Sequence, residues 1–265
     1  MHRLMPPATK YVAILREPYA QFWSTMNYFH GFQESSPLHG QRIRKQGKVF
    51  LGDPDFYYEY LDYSARHSIQ MSHDLGLPAR HRRNETEIAE FLRRTDEDFD
   101  LVLIREYFDE SLVLLRRLLC WPLRSIVYQT RNAKTYETSV TPTTSSQEHE
   151  NEDRNLRAAY RAWNAADARL YDHFNATLWK RIAREENFHE EVSFFRMTNR
   201  KVSIACARLG RLKKKSSAVR VRKSKWSPAF SIDGGVCHRL ELDMISYLKR
   251  LKLSYYERSN SSKNA

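Results

Sequence analysis

Twice in this chain a short run of strand-type residues empties directly into a helical pattern, and no other feature constrains the fold as strongly. The first run is Tyr11-Val-Ala-Ile-Leu15, followed by Arg16-Glu17-Pro18 and a helix-like stretch from Tyr19 to Phe29. Proline at a first helical position lacks only an amide that the helix would leave unbonded anyway. The second run is Asp100-Leu-Val-Leu-Ile104, followed by an Arg105-Glu-Tyr turn and a helix from Phe108 to Trp121 that Pro122 stops. Asp109 and Glu110 favour the N-terminus of that helix, and Leu112, Leu115, Leu118 and Leu119 make its apolar stripe. Strands separated by helices need crossover connections, so the pattern predicts an α/β chain with a mostly parallel sheet.

The first strand, turn and helix also form a plausible seat for a phosphate. Arg16 offers a planar fork of donors, the first helical turn offers unbonded amides, and Ser24 adds a hydroxyl two turns on. R-x-P is a weak motif, and spacing alone favours a buried strand whose exit arginine pairs with a surface carboxylate.

With 265 residues the chain can bury one sizeable core, so one domain over 1–265 is expected. Its formal net charge of +12 and pI near 9.6 favour an anionic partner without choosing among nucleotide, acidic glycan, membrane surface and nucleic acid. No nucleic-acid-binding motif is recognised. Much of the charge sits in Gln41–Lys48 and in Arg211–Lys225, which read as solvated basic loops. Three cysteines without a C-x-x-C provide no metal framework. In an oxidising compartment Cys206 and Cys237 can pair and leave Cys120 buried in an apolar helix; in the cytosol all three are small core residues. Sequons at Asn84, Asn175 and Asn260 are compatible with a secretory route. No signal-peptide pattern opens the chain, and no run of about 18 apolar residues occurs.

Elsewhere, residues 30–48 read as an exposed loop and Asp53-Pro54 as a helix start with Phe56, Tyr57, Tyr60 and Leu61 at helical intervals. Residues 80–98 make an amphipathic helix around Ile88, Phe91 and Leu92. Residues 135–153, rich in Ser, Thr and Glu, read as a mobile loop. Leu156, Tyr160, Trp163, Leu170, Phe174 and Leu178 then keep one helical face apolar. The histidines at 67 and 73 read as structural or surface residues.

Several stretches resemble the galactose-3-O-sulfotransferase family, which includes galactosylceramide sulfotransferase. Leu101 to Trp121 matches the family's L-V-L-x-x-E-Y-F-D-E-S-L-V-L-L-x-x-L-L-C-W, and Ala162 to Lys180 resembles its A-W-N-x-x-D-x-x-L-Y-x-H-F-N-x-S/T-x-W. Leu15 to Phe29 is similar to its segment for the 3′-phosphate of 3′-phosphoadenosine-5′-phosphosulfate, with Arg16 and Ser24 on the two ligand positions. The resemblance implies a P-loop-like sulfotransferase fold and transfer of a sulfuryl group to the 3-hydroxyl of a terminal galactose on a glycolipid or glycan. It also implies no metal, no nucleic-acid partner, and a Golgi membrane location, lumenal side, through an N-terminal anchor. The family's K-T-x-K-T-A-S-x-T loop for the 5′-phosphosulfate and its histidine motif precede the 3′-phosphate segment. Only fifteen residues precede Arg16 here and none makes that loop. The expectation is therefore a domain lacking its first strand–loop–helix, with no catalytic residue assigned, from a fragment or incomplete gene model; the alternative is a catalytically inactive member of the family.

Overall fold

The structure, a computed structural model, describes residues 5, 6, 8–130, 146–212 and 218–261. Packing divides the chain into two compact units, residues 1–111 with 134–185 and residues 112–133 with 186–265.

In the first unit, β1 (Val12–Leu15) and β2 (Leu101–Ile104) pair in parallel, from Val12 opposite Leu101 to Leu15 opposite Ile104. Asp100 sets the start of this register, bonding the Lys10 ammonium at 2.7 Å and accepting from the Tyr11 amide at 2.9 Å. At the other end the Ser111 hydroxyl accepts from the Ile104 amide and donates to the Ile104 carbonyl. All four β2 residues are buried, whereas Ile14 of β1 is exposed.

Between the strands lie the helices α1 (Pro18–Tyr28), α2 (Ile43–Gly52), α3 (Pro54–Tyr57), α4 (Tyr63–Ser68), α5 (Met71–Asp74) and α6 (Glu85–Asp98). After β2 comes α7 (Phe108–Leu118), within which the boundary of the units falls, then α8 (Ser146–Trp163) and α9 (Ala165–Ile182). The core gathers Phe22 and Met26 of α1, Phe50 of α2, Ala65 of α4, Leu61, Ile69, and Tyr160 with Trp163 of α8. Phe22 sits at its centre, its ring 5.3 Å from Phe50 and 4.9 Å from Tyr160. A Cβ on Gly47 would come within 2.3 Å of the Trp23 ring, so α1 and α2 can approach this closely only with glycine there.

Several expectations are revised. The basic cluster of 41–48 is no loop: α2 begins at Ile43, and Lys48 bonds Glu152 at 2.5 Å. Of the expected loop 135–153, residues 135–145 lie outside the described residues and 146–153 are the first turns of α8, held by the Lys48 bond and by the Tyr19 hydroxyl donating to Asp153 at 2.8 Å. Polar composition concealed this because those turns touch the core only at their edge. Finally, α7 ends at Leu118 and Cys120 is exposed rather than buried. Cys120 turns into the left-handed region at φ 52°, which sends the Trp121 amide back to the Arg116 carbonyl at 3.0 Å and closes the helix. The buried face of α7 carries Ser111, Val113 and Leu114 rather than the anticipated leucine stripe.

The second unit holds α10 (Phe188–Leu212), the antiparallel pair β3 (Val219–Val221) and β4 (Phe230–Ile232), α11 (Gly234–Leu240) and α12 (Met244–Ser261). A disulfide between Cys206 and Cys237 joins α10 to α11 across a Cα separation of 5.2 Å, in a small core with Val202, Leu209 and Ile232. Part of the second basic cluster forms β3, and Lys225 pairs with Glu190 at 2.5 Å. Glu191, 1% exposed, receives both Arg116 and Arg117. Among the described residues no helix is long and apolar enough to cross a membrane.

Candidate functional site

In parallel α/β architectures ligands gather outside the carboxyl ends of the strands. Here those ends carry the same dipeptide: β1 exits into Arg16-Glu17 and β2 into Arg105-Glu106, aligned by the pairing of Leu15 with Ile104.

Arg16 is half-buried, and its amide donates to the Met71 sulfur at 3.4 Å at the start of α5. Glu17 is the N-cap of α1, its carboxylate accepting from the Ala20 amide at 2.8 Å, with Pro18 next. The same carboxylate lies 3.4 Å from Arg157 and 3.8 Å from Arg161 of α8, and Arg161 continues to Asp172 at 2.6 Å. This alters one expectation. Of the first-turn amides proposed for an anion, Pro18 has none, Ala20 serves Glu17 and Gln21 donates to the Glu17 carbonyl. Two of the first-turn amides are thus already engaged within the turn. Ser24 is half-buried on the second turn of α1, about 9 Å along the helix axis from Pro18.

Behind Arg16 lies a buried polar clamp that sequence reasoning assigned no role. The Asp167 carboxylate, inaccessible to solvent, accepts from the Met71 amide at 2.8 Å and from the Ser72 amide at 2.8 Å. The Tyr160 hydroxyl donates to the Ile69 carbonyl at 2.6 Å, and the Asn164 amide donates to the same carbonyl at 3.3 Å. Segment 69–72 is thus held by Tyr160 of α8, Asn164 between the two helices and Asp167 of α9, and its Met71 sulfur accepts from the Arg16 amide. Burial pushes the Asp167 carboxyl above its ordinary range, and the amides of Ser72 and Met71 oppose that rise. The signal was present in the sequence as Asn164 and Asp167 interrupting an otherwise apolar helical face.

Glu106 reaches across the strand ends. One oxygen accepts from the Glu17 amide at 3.2 Å and the other from the Tyr171 hydroxyl at 3.2 Å. Burial, then the Glu106 charge, raises the Tyr171 hydroxyl above its ordinary range. The two histidines named from the sequence stand at the α4–α5 corner with ring centroids 5.5 Å apart; His67 Nδ1 lies 2.8 Å from the Tyr63 carbonyl. Asp74 beside them is raised by burial against their pull. Trp163 is core, as read, while Trp179 is half-buried against Tyr107. Asn84 is exposed as the N-cap of α6, Asn175 is half-buried within α9, and Asn260 lies in α12. Among the described residues no group of histidine, cysteine and acidic side chains is placed to hold a metal ion.

Comparison with known proteins bears on this arrangement. The galactose-3-O-sulfotransferase family model matches residues 1–251. Galactose-3-O-sulfotransferase 3 of Bos taurus is 40% identical over 186 residues, covering 69% of this chain and 41% of the relative. Galactosylceramide sulfotransferase of Bos taurus is 33% identical over 229 residues, covering 85% of this chain and 51% of the relative. The chain thus spans about half the length of these relatives. No solved structure matches. The parallel β1–β2 pair with its covering helices is consistent with the P-loop-like α/β fold expected of such a protein. With the matched model spanning nearly the whole sequence, the chain belongs to the galactose-3-O-sulfotransferase family.

Proposed function

We propose that this chain carries the nucleotide 3′-phosphate site of a sulfotransferase that moves a sulfuryl group from 3′-phosphoadenosine-5′-phosphosulfate to the 3-hydroxyl of a terminal galactose. The observation that carries the reading is the position of Arg16, at the carboxyl end of β1 and the entrance to α1, in a chain of this family. Arg16 contacts the 3′-phosphate with its guanidinium and Ser24 adds a hydroxyl donor. The residues present fit a phosphate: the neighbouring Glu17 carboxylate is offset by Arg157 and Arg161, so the strand exit is not left acidic. The donor brings the activated sulfuryl group; what this chain supplies is orientation of the nucleotide. The acceptor is a galactose-terminated glycolipid or glycan, the relatives' names pointing to both. The setting is the lumenal side of the Golgi membrane, reached through an N-terminal anchor, and the buried disulfide suits that oxidising compartment. Among the sequons, exposed Asn84 is the preferred glycan acceptor.

Isothermal titration of the full chain with 3′-phosphoadenosine-5′-phosphate tests the nucleotide site. Losing a charge-assisted phosphate contact costs about 1.5–3 kcal/mol, so Arg16→Ala weakens binding roughly 10- to 150-fold, and Ser24→Ala weakens it less. Adenosine-5′-phosphate, which lacks the 3′-phosphate, binds parent and Arg16→Ala alike. Equal affinity of parent and Arg16→Ala for the 3′-phosphorylated nucleotide overturns the assignment.

A further inference from the structure

The backbone on both sides of the Arg16 Cα is pinned by groups from elsewhere in the chain. On one side the Arg16 amide rests on the Met71 sulfur; on the other the Glu17 amide is held by Glu106 at 3.2 Å. Glu106 is itself held from behind by the Tyr171 hydroxyl of α9 at 3.2 Å, so both of its oxygens are engaged at once. It stands in the single helical turn Arg105–Tyr107, directly off β2, where the parallel register delivers it beside Glu17. A carboxylate next to an anion site opposes binding by its charge. Its presence here is therefore informative, since only its geometry can help.

We propose that Glu106 is a positioning residue for the nucleotide 3′-phosphate: by fixing the peptide unit between Arg16 and Glu17 through Tyr171, it aims the Arg16 side chain. The inference rests on the reading of Arg16 as the phosphate ligand. A peptide plane left free to rotate moves the attached Cα–Cβ direction, and a long side chain magnifies that error at its guanidinium.

The geometry and the charge of Glu106 act in opposite directions, which makes the role separable. In Glu106→Gln the amide oxygen still accepts from the Glu17 amide, the new NH2 donates to the Tyr171 oxygen, and one negative charge is gone. In Glu106→Ala both bonds are lost. Titration of the full chain with 3′-phosphoadenosine-5′-phosphate should give Glu106→Gln affinity equal to the parent or a few-fold tighter, and Glu106→Ala affinity about 5- to 30-fold weaker. Adenosine-5′-phosphate affinity stays within about twofold in both. Tyr171→Phe, which removes the rear support with little change of shape, weakens binding of the 3′-phosphorylated nucleotide about threefold and serves if Glu106→Ala does not fold. In an Arg16→Ala background the Glu106→Ala effect disappears; an effect arising from general loosening or from charge alone persists there. If Arg16→Ala weakens binding while Glu106→Ala or Tyr171→Phe leaves it at the parental value, the proposal is overturned and the phosphate site stands. Equal losses in Glu106→Gln and Glu106→Ala also overturn it. If Arg16→Ala itself changes nothing, the phosphate reading fails and this one with it.

Discussion

Replacing Asp167 by alanine leaves the Met71 and Ser72 amides facing a space with no acceptor, inside a part of the protein that water does not reach. Each buried amide without a partner costs about 1–3 kcal/mol, so the two cost about 2–6 kcal/mol. Part of that is returned, because the variant no longer keeps a carboxylate out of water; the raised pKa of Asp167 shows that burial outweighs its donors. The expected net loss is about 2–4 kcal/mol. Asp167→Asn retains one acceptor and turns an NH2 toward the other amide, so it loses roughly half as much, about 1–2 kcal/mol. Urea unfolding followed by circular dichroism measures both, the midpoint shifting while the slope stays constant. The pH dependence follows from linkage. A carboxyl whose folded pKa is raised binds its proton more tightly in the folded chain, so its contribution to stability is present below the unfolded value of about 3.9 and is lost as pH rises through the folded value. The carboxamide of the Asp167→Asn variant does not titrate, so the stability gap between parent and variant narrows as pH rises across that window. A loss below about 0.5 kcal/mol in Asp167→Ala, the range of ordinary surface changes, would falsify the account of the clamp.

Two further outcomes concern the second unit. Glu191→Ala removes the carboxylate that receives Arg116 and Arg117, and breaking a buried pair of this kind costs about 3–5 kcal/mol; the arginines are 19% and 23% exposed, so the lower end is expected in urea unfolding, and a change under about 1 kcal/mol refutes the assignment. Reducing the Cys206–Cys237 bond, whose ends are 31 residues apart, releases loop entropy worth about 3–4 kcal/mol at 25 °C. A Cys206→Ser, Cys237→Ser double variant should lose a comparable amount, and parental stability in that variant shows that the bond constrains nothing.

The elements most legible in the sequence were those whose signal is local. The runs expected at 11–15 and 100–104 became the paired strands 12–15 and 101–104, the second buried along its whole length and the first only at Leu15. Pro18 and Asp53 marked helix starts, while the amphipathic helix expected over 80–98 begins only at Glu85, behind its N-cap Asn84. Where composition stood in for contact, the reading erred. Residues 146–153 looked like loop because their helix needs no apolar stripe so close to its end. Cys120 looked buried because nothing in an apolar run announces a left-handed residue that ends the helix.

The proposed phosphate site divides along the same line. Arg16 and Ser24 could be named as candidates from the sequence because the family likeness that points to them lies within one strand–helix unit. What holds Arg16 could not be, since its supports come from 55 residues away at Met71 and 89 away at Glu106 when counted from Glu17. Glu106, and the residues that stand behind Met71 and Glu106, nevertheless fall in two stretches that resemble the family, Leu101 to Trp121 and Ala162 to Lys180. One contributes Glu106 to the front of the turn; the other contributes Asn164 and Asp167 behind Met71 and Tyr171 behind Glu106. A buried carboxylate and a buried amide cost stability wherever packing alone would serve. Their placement around a single strand exit is explained if that exit must hold its arginine in one orientation, and loss of nucleotide affinity in Asp167→Asn beyond what its lost stability accounts for would tie the rear clamp to the same task as Glu106.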